Sequence, residues 1–282
     1  MRRHLTYLPL TLFALVFCLP IVFMLMSSLK PDEQIFGDLE TARAFLPVGD
    51  ISLDNYGKVF DTVPAGRFML NSVIVTAGIV LFGFLVNSLA GFALARLRWR
   101  FGPLVLTLVI ATLVLPFETI AVPLLFWVSK LPWLTSNGFE VGWLDTYRVQ
   151  IIPFIANGFS IFLFRQHFTS IPTELDEAAR IDGCNWWTIY RRVAVPLSGP
   201  VFATVGLLTA LPAWNSYLWP LMTVQDEKKR TVLIGVQYFF QLDIAWGQIM
   251  AYSSMITIPV LILFFAFQRA FMTSIASTGL KG

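Results

Sequence analysis

Charge is scarce in this chain. Only 13% of its 282 residues are Asp, Glu, Lys or Arg, about half the ~25% of a soluble domain, and that shortage excludes an ordinary water-soluble fold. Histidine and cysteine are scarcer still, at two each. His4 and His167 cannot form a metal cluster, and Cys18 and Cys184 fit neither a zinc-type spacing nor a disulfide framework. Cys184 reads as a filler residue rather than a reactive thiol. No phosphate-cradling G-x-x-x-x-G-K-[ST] loop is present, because Gly57-Lys58 lacks both the preceding glycine and the following hydroxyl. The serines lack a plausible His and acid arrangement, so an enzyme is a poor reading. A net charge of +3 is too small to argue for nucleic acid, and no internal repeat is visible.

Apolar surface is abundant instead. Hydrophobic residues make up 56% and aromatics 15%, and the mean hydropathy is +0.71. The apolar runs fall at 7–29, 68–94, 103–128, 147–168, 200–224 and 248–271, each long enough for the roughly 20 residues a membrane-spanning helix needs. The sequence therefore predicts an all-α polytopic membrane protein with six transmembrane helices. Asn157 and Gly158 interrupt the fourth run. Pro20, Pro116, Pro123, Pro153, Pro212, Pro220 and Pro259 recur in or near the runs, as in kinked membrane helices whose neighbours cover the freed carbonyls. The first run follows Arg2-Arg3 but is too long for a signal peptide and lacks a small-x-small cleavage pattern. It reads as a retained span. Residues 1–67 then form an N-terminal helix and outer loop, and 68–282 a five-helix core.

Orientation follows the basic residues. With the N-terminus inside, the inner segments hold Arg2, Arg3, Arg96, Arg98, Arg100, Arg165, Arg180, Arg191, Arg192, Arg269 and Lys281. The outer segments hold Lys30, Arg43, Lys58, Arg67, Lys130, Arg148, Lys228, Lys229 and Arg230. The tight clusters Arg2-Arg3 and Arg96-x-Arg98-x-Arg100 favour both termini inside, whereas Lys228-Lys229-Arg230 opposes it.

Between the fourth and fifth runs lies a polar island, 173–196. Thr173 is placed to cap a short helix that opens with Glu174, Asp176 and Glu177, where the helix dipole favours anions. Gly183 supplies a left-handed position to end it. Asn185 is placed to cap a second helix carrying Trp186, Ile189 and Val193, which Pro196 should stop. A folded amphipathic helix pair in a membrane loop suggests a docking surface.

The stretch Glu177-Ala178-Ala179-x3-Gly183-x9-Val193-x-Val195-Pro196 resembles the EAA loop of permease subunits in binding-protein-dependent ATP-binding-cassette (ABC) importers. Val193 and Val195 stand where that family usually has Ile and Leu. Phe164-Arg165-Gln166, Ile171-Pro172, Trp214-Asn215-x-x-Leu218-Trp219-Pro220, Gln268-Arg269 and the Lys281-Gly282 ending are similar to the carbohydrate-uptake branch that includes the smaller permease of the maltose system. The resemblance covers nearly the whole chain. It implies a type I ABC importer permease fold in a bacterial or archaeal cytoplasmic (inner) membrane. It also implies a heterodimer with a second permease subunit, two ATPase subunits that use ATP and Mg, and an extracytoplasmic solute-binding protein delivering a sugar-like substrate. No cofactor or metal is expected on this chain. The EAA loop would be the cytoplasmic coupling-helix loop. Small Ala178 and Ala179 would admit a partner's backbone closely. Glu177 and Asp182 would pair with basic groups, and Trp186 would anchor on an apolar wall, with Gly183 shaping the turn.

Further candidates stand with alternatives open. Trp214, Asn215 and Tyr217, expected near the middle of the fifth span, suit a helix-packing seam better than a sugar's mixed surface, and both readings stay open. Glu118 is the one acid placed inside a span, as a cavity-lining or a structural carboxylate. Gln225, Lys228, Lys229, Arg230 and Trp246 match the region the family uses against its binding protein, or form a solvated face. A stand-alone ion-coupled secondary transporter is the competing class. Such proteins often show repeats and several intramembrane charges, and this chain offers neither.

Overall fold

The computed structural model describes residues 2–135, 138–240 and 244–279. Lys281 and Gly282 lie outside the described residues, as do the side chains of Arg2, Arg3, His4 and Arg269. In chain order come α1 (Arg2–Ser27), α2 (Asp32–Asp38), α3 (Asp54–Thr62), α4 (Ala65–Arg96), α5 (Gly102–Ala111) and α6 (Phe117–Val128). Two antiparallel strands follow, β1 (Pro132–Thr135) and β2 (Gly138–Val141). Then come α7 (Tyr147–Ile151), α8 (Gly158–Ser170), α9 (Glu174–Ile181), α10 (Trp186–Ile189), α11 (Gly199–Trp214), α12 (Leu218–Thr223), α13 (Val232–Gly235) and α14 (Trp246–Gly279).

Among the described residues, four helical stretches are long and apolar enough to cross a membrane: Pro9–Ser27, Ala65–Arg96, Pro196–Trp214 and Trp246–Ala266. Two more are bent pairs. Gly102–Val114 and Phe117–Val128 meet at 106°, and Tyr147–Phe154 and Gly158–Ser170 at 44°. Counting each pair as one crossing gives the expected six. The first bend has a local cause. Pro116 disfavours helical backbone in the residue before it, and Leu115 is extended at φ −82, ψ 115.

The strand pair departs from a purely helical expectation. Its register sets Leu134 opposite Phe139 and Trp133 opposite Glu140. Trp133, Leu134, Phe139 and Val141 are exposed, and Trp133 packs edge-on to Trp143 at 5.7 Å, with the Arg148 guanidinium 4.9 Å from its ring centre.

The chain separates into two compact units, Met1–Leu70 with Thr231–Val260 and Asn71–Arg230 with Leu261–Gly282. In the first, Lys30 is buried against Asp38 at 3.0 Å and donates to the Arg43 carbonyl at 2.7 Å. Gln34 bridges Asp38 and the Val48 carbonyl, and Asn55 donates to the carbonyls of Ser28 and Lys30. The Lys30 ammonium, helped by Gln34, holds the Asp38 carboxyl below its ordinary value. Asp32 accepts from the N–H groups of Trp246 and Gly247 at 3.0 and 2.7 Å, anchoring the start of α14.

The second unit is built around Phe92, Phe164, Phe168, Ile189, Tyr190 and Val205. Helices α4 and α8 approach closely at Gly91, where a Cβ would stand 2.6 Å from that of Phe164, the small-residue contact that membrane helices use. The break before α8 is closed by α4. Asn87 donates to the Ile155 carbonyl at 3.0 Å and accepts from the Asn157 N–H at 2.9 Å, so backbone freed by the break stays paired where water is absent.

Candidate functional site

Residues 173–196 fold as two short helices around a left-handed glycine. Gly183 has φ +80, and two hydrogen bonds close the end of α9: Cys184 N–H to Ala179 at 2.9 Å and Gly183 N–H to Arg180 at 3.0 Å. This pairing consumes carbonyls that a helix end otherwise leaves free. Asn185 caps α10 as expected, accepting from the Thr188 N–H at 2.8 Å. Thr173 does not cap α9. Its backbone is helical (φ −70, ψ −22) and its side chain makes no capping bond, whereas side-chain caps need an extended residue there.

Pro196 does not stop the second helix either. The chain widens into a π turn at Tyr190–Ala194, with Val195 N–H bonding Tyr190 at 2.9 Å, and runs through a 3-10 turn at Pro196–Ser198 into α11. Proline lacks an N–H, and the wider turn lets the helix carry on past it. Such π insertions often mark functional segments.

One face of this pair is held and the other is free. Asp176 is the buried residue of α9, bonded to the Arg96 guanidinium at 2.7 Å with both side chains almost fully buried. Arg96 also donates to the Ile171 carbonyl at 2.7 Å. The Tyr190 hydroxyl shares a buried 2.7 Å hydrogen bond with Ser88. On the other side Glu177, Ala178, Asp182 and Gly183 are exposed and Ala179 is half-buried. Ile181 is 87% exposed, Trp187 56% and Leu175 43%.

The two tryptophans of α10 face different ways. Trp186 is half-buried, 6.3 Å from Phe92 and beneath the Arg180 guanidinium at 5.4 Å, so its ring already serves its own chain. Trp187, one residue on, is the outward ring and stacks on Tyr190 at 5.5 Å. Composition alone could have suggested Ile181, an apolar residue in the middle of a polar island. Asp176 and Arg96 were each readable only as helix-end charges.

The other candidates scatter. The fifth helix ends at Trp214 rather than running to 224. Trp214 and Asn215 therefore lie at a helix end rather than mid-span, because Pro220 cannot donate to the preceding turn and the chain restarts as α12. Asn215 donates to the Leu211 carbonyl at 3.0 Å. Trp214 is buried with its indole N–H unpartnered, while Asn215 and Tyr217 are exposed. Glu118 is exposed in the first turn of α6, directly after the 106° bend.

The 225–230 segment is sutured to its unit by side chains. Asp145, at φ 54, accepts from the N–H groups of Gln225 and Asp226 at 2.5 and 2.7 Å, and its carbonyl accepts from the Lys229 ammonium at 2.5 Å. Asn71 donates to the carbonyls of Lys228 and Arg230, and Gln150 to that of Lys229. Arg230 donates to the Gln225 carbonyl at 3.2 Å. The Lys228 N–H, with Lys229 beside it, holds the Asp226 carboxyl below its ordinary value. The Lys228 side chain is exposed. Trp246 belongs to the first unit, at the start of α14, 6.2 Å from Phe36.

This chain carries, over residues 87–276, the sequence pattern of the family described as binding-protein-dependent transport system inner membrane component. It belongs to that family. The permease is 31% identical over 277 residues to the arabinooligosaccharides transport system permease protein of Halalkalibacterium halodurans, covering 95% of this chain and 93% of that one. It is 29% identical over 289 residues to the sn-glycerol-3-phosphate transport system permease protein of Salmonella typhimurium, covering 98% of each. Its fold matches a chain in the crystal structure of a bacterial ABC transporter that imports the acidic polysaccharide alginate, with a TM-score of 0.79, 24% identity and 95% coverage of both chains. The permease is thus a multi-pass membrane protein with the type I ABC importer permease fold.

Proposed function

We propose that the permease imports a sugar or sugar-like solute by alternating access, driven by ATP hydrolysis on separate ATPase subunits that grip residues 173–196. The observation that carries this reading is the outward face of α9. Leu175, Ala178 and Ile181 recur every three residues and are all exposed. Burial of a side chain such as Leu175 or Ile181 in a partner's cleft contributes roughly 1.5–3 kcal/mol. Glu177 and Asp182 beside them suit basic groups at the rim of that cleft. Residues 173–196, the knuckle, then lie on the cytoplasmic side, with both termini.

The chain itself performs no catalysis and needs no cofactor; its partners use ATP and Mg. A second permease completes the pathway as a heterodimer, and an extracytoplasmic binding protein delivers the solute. Trp214, Asn215 and Tyr217 are assigned to the solute path, because broken membrane helices place polar and aromatic groups where a solute passes. Glu118, beside a second break, is assigned there too. Gln225, Lys228, Lys229 and Arg230 of the second unit are assigned to the binding protein, and Trp246 of the first unit is assigned to it separately. The relatives' names support carbohydrates and sugar-like polyol phosphates as the solute class.

Purification tests this reading. The tagged permease should co-purify with an ATPase and a second permease. Vesicles holding that complex, with its binding protein, should take up radiolabelled arabinooligosaccharide, maltose or glycerol 3-phosphate only when ATP is supplied to the ATPase side. Uptake by the isolated permease, driven by an ion gradient, would replace this reading with a secondary transporter.

A further inference from the structure

The knuckle meets α4 at three points spaced four residues apart. Ser88 hydrogen-bonds the Tyr190 hydroxyl, Phe92 packs on Tyr190 at 5.3 Å and on Trp186 at 6.3 Å, and Arg96 closes on Asp176. Positions 88, 92 and 96 share one helix face. The first two hold α10 and the π turn, whereas the third holds α9. Asp176 is the buried residue of α9, and the same guanidinium grips the Ile171 carbonyl where the chain enters the segment. Both charges also sit where the helix dipoles favour them. Arg96 lies in the last turn of α4 and Asp176 in the first turn of α9.

A buried ion pair is a poor source of net stability, because desolvation offsets most of its attraction. It is strong against separation, since parting the two groups leaves two uncompensated charges. We propose that Arg96 and Asp176 form a latch that makes α9 and α4 move as one body, so that force applied to the knuckle enters the membrane through α4. Both are positioning residues. The latch rests on the coupling reading and adds the route by which the force travels.

Paired spin labels test it in the assembled transporter, purified with its own partner subunits. The labels go at Glu174→Cys on α9 and Leu81→Cys on α4, both exposed sites, with Cys18 and Cys184 replaced by serine. The distance between the labels is compared without nucleotide and after trapping with ATP, Mg and vanadate. With the latch intact, the distance distribution stays the same in both states. With Arg96→Gln it shifts or broadens on trapping while ATP hydrolysis continues, and the swapped pair Arg96→Asp with Asp176→Arg restores constancy. An unchanged distribution in trapped Arg96→Gln overturns the latch. If Arg96→Gln fails to assemble, the parent decides alone, because a distance that changes on trapping with the latch intact also overturns it. Absence of any ATPase from the parent preparation would instead sink the coupling reading, and the latch with it.

Discussion

The molecule buries an ion pair in each of its two units, and they differ in what they join. Lys30 and Asp38 sit a few residues apart, and the same neighbourhood is closed again by Gln34, Asn55 and the Arg43 carbonyl. Losing one bond there leaves others holding the same loop. Arg96 and Asp176 come from distant parts of the sequence and join a membrane helix to a helix that has no other buried residue. Redundant local pairs keep a segment folded. A distant pair ties α9 itself to α4, and its loss should be felt in function beyond its cost in stability.

Neutralising each pair in turn is the widest test of this contrast. Asp176→Asn should cost ~3–5 kcal/mol, because it leaves a buried guanidinium without its counter-charge, and import should be lost. Asp38→Asn should leave import near the parent level per molecule. Uptake in vesicles, normalised to permease content, checks both. Equal loss in the two variants would erase the distinction.

The outward face comes next. Ile181→Asp should weaken retention of the ATPase by at least ~2 kcal/mol, the scale of an interface hot spot, with thermal unfolding of the permease unchanged. Co-purification from detergent reads the first and a melting curve the second. Gly183→Val should cost ~1–2 kcal/mol by forcing a branched residue into left-handed backbone. Because the turn sets the angle between α9 and α10, ATPase retention should fall with it.

Capping gives a finer contrast. Asn185→Ala should destabilise the second helix by ~1 kcal/mol, whereas Thr173→Ala should be silent because that hydroxyl caps nothing. Hydrogen exchange across 173–196 separates them. The smallest effect concerns acid. Asp38 titrates below its ordinary value when folded, so its contribution to stability is complete above about pH 4 and is lost as pH falls through the lower folded value. The melting temperature of the parent should therefore drop more steeply below pH 4 than that of Asp38→Asn.

Much of this architecture was written in local pattern. The apolar runs announced the spans, and Pro116 and Asn157-Gly158 marked the places where two of them break. The turn at Gly183 and the cap at Asn185 were legible because each depends on one residue's own conformational preference. Thr173 failed because capping depends on backbone entry angle, which packing decides. The end of α11 at Trp214 and the strands Pro132–Thr135 and Gly138–Val141 were hidden, since short elements take their form from neighbours rather than from periodicity. Trp186 and Trp187 could not be told apart, because a single helical turn before a π turn carries no stable phase. The Arg96–Asp176 pair was invisible for a simpler reason: nothing in sequence relates two helix-end charges until the fold brings them together.

The most direct test of the coupling claim is a single cysteine at Ile181, in a background without Cys18 and Cys184. The account predicts that Ile181→Cys in native membranes forms a crosslinked adduct with an ATPase subunit, and that a membrane-impermeant maleimide reaches it in inside-out vesicles but not in intact cells. Labelling of that cysteine from outside intact cells, with no ATPase adduct, would contradict it.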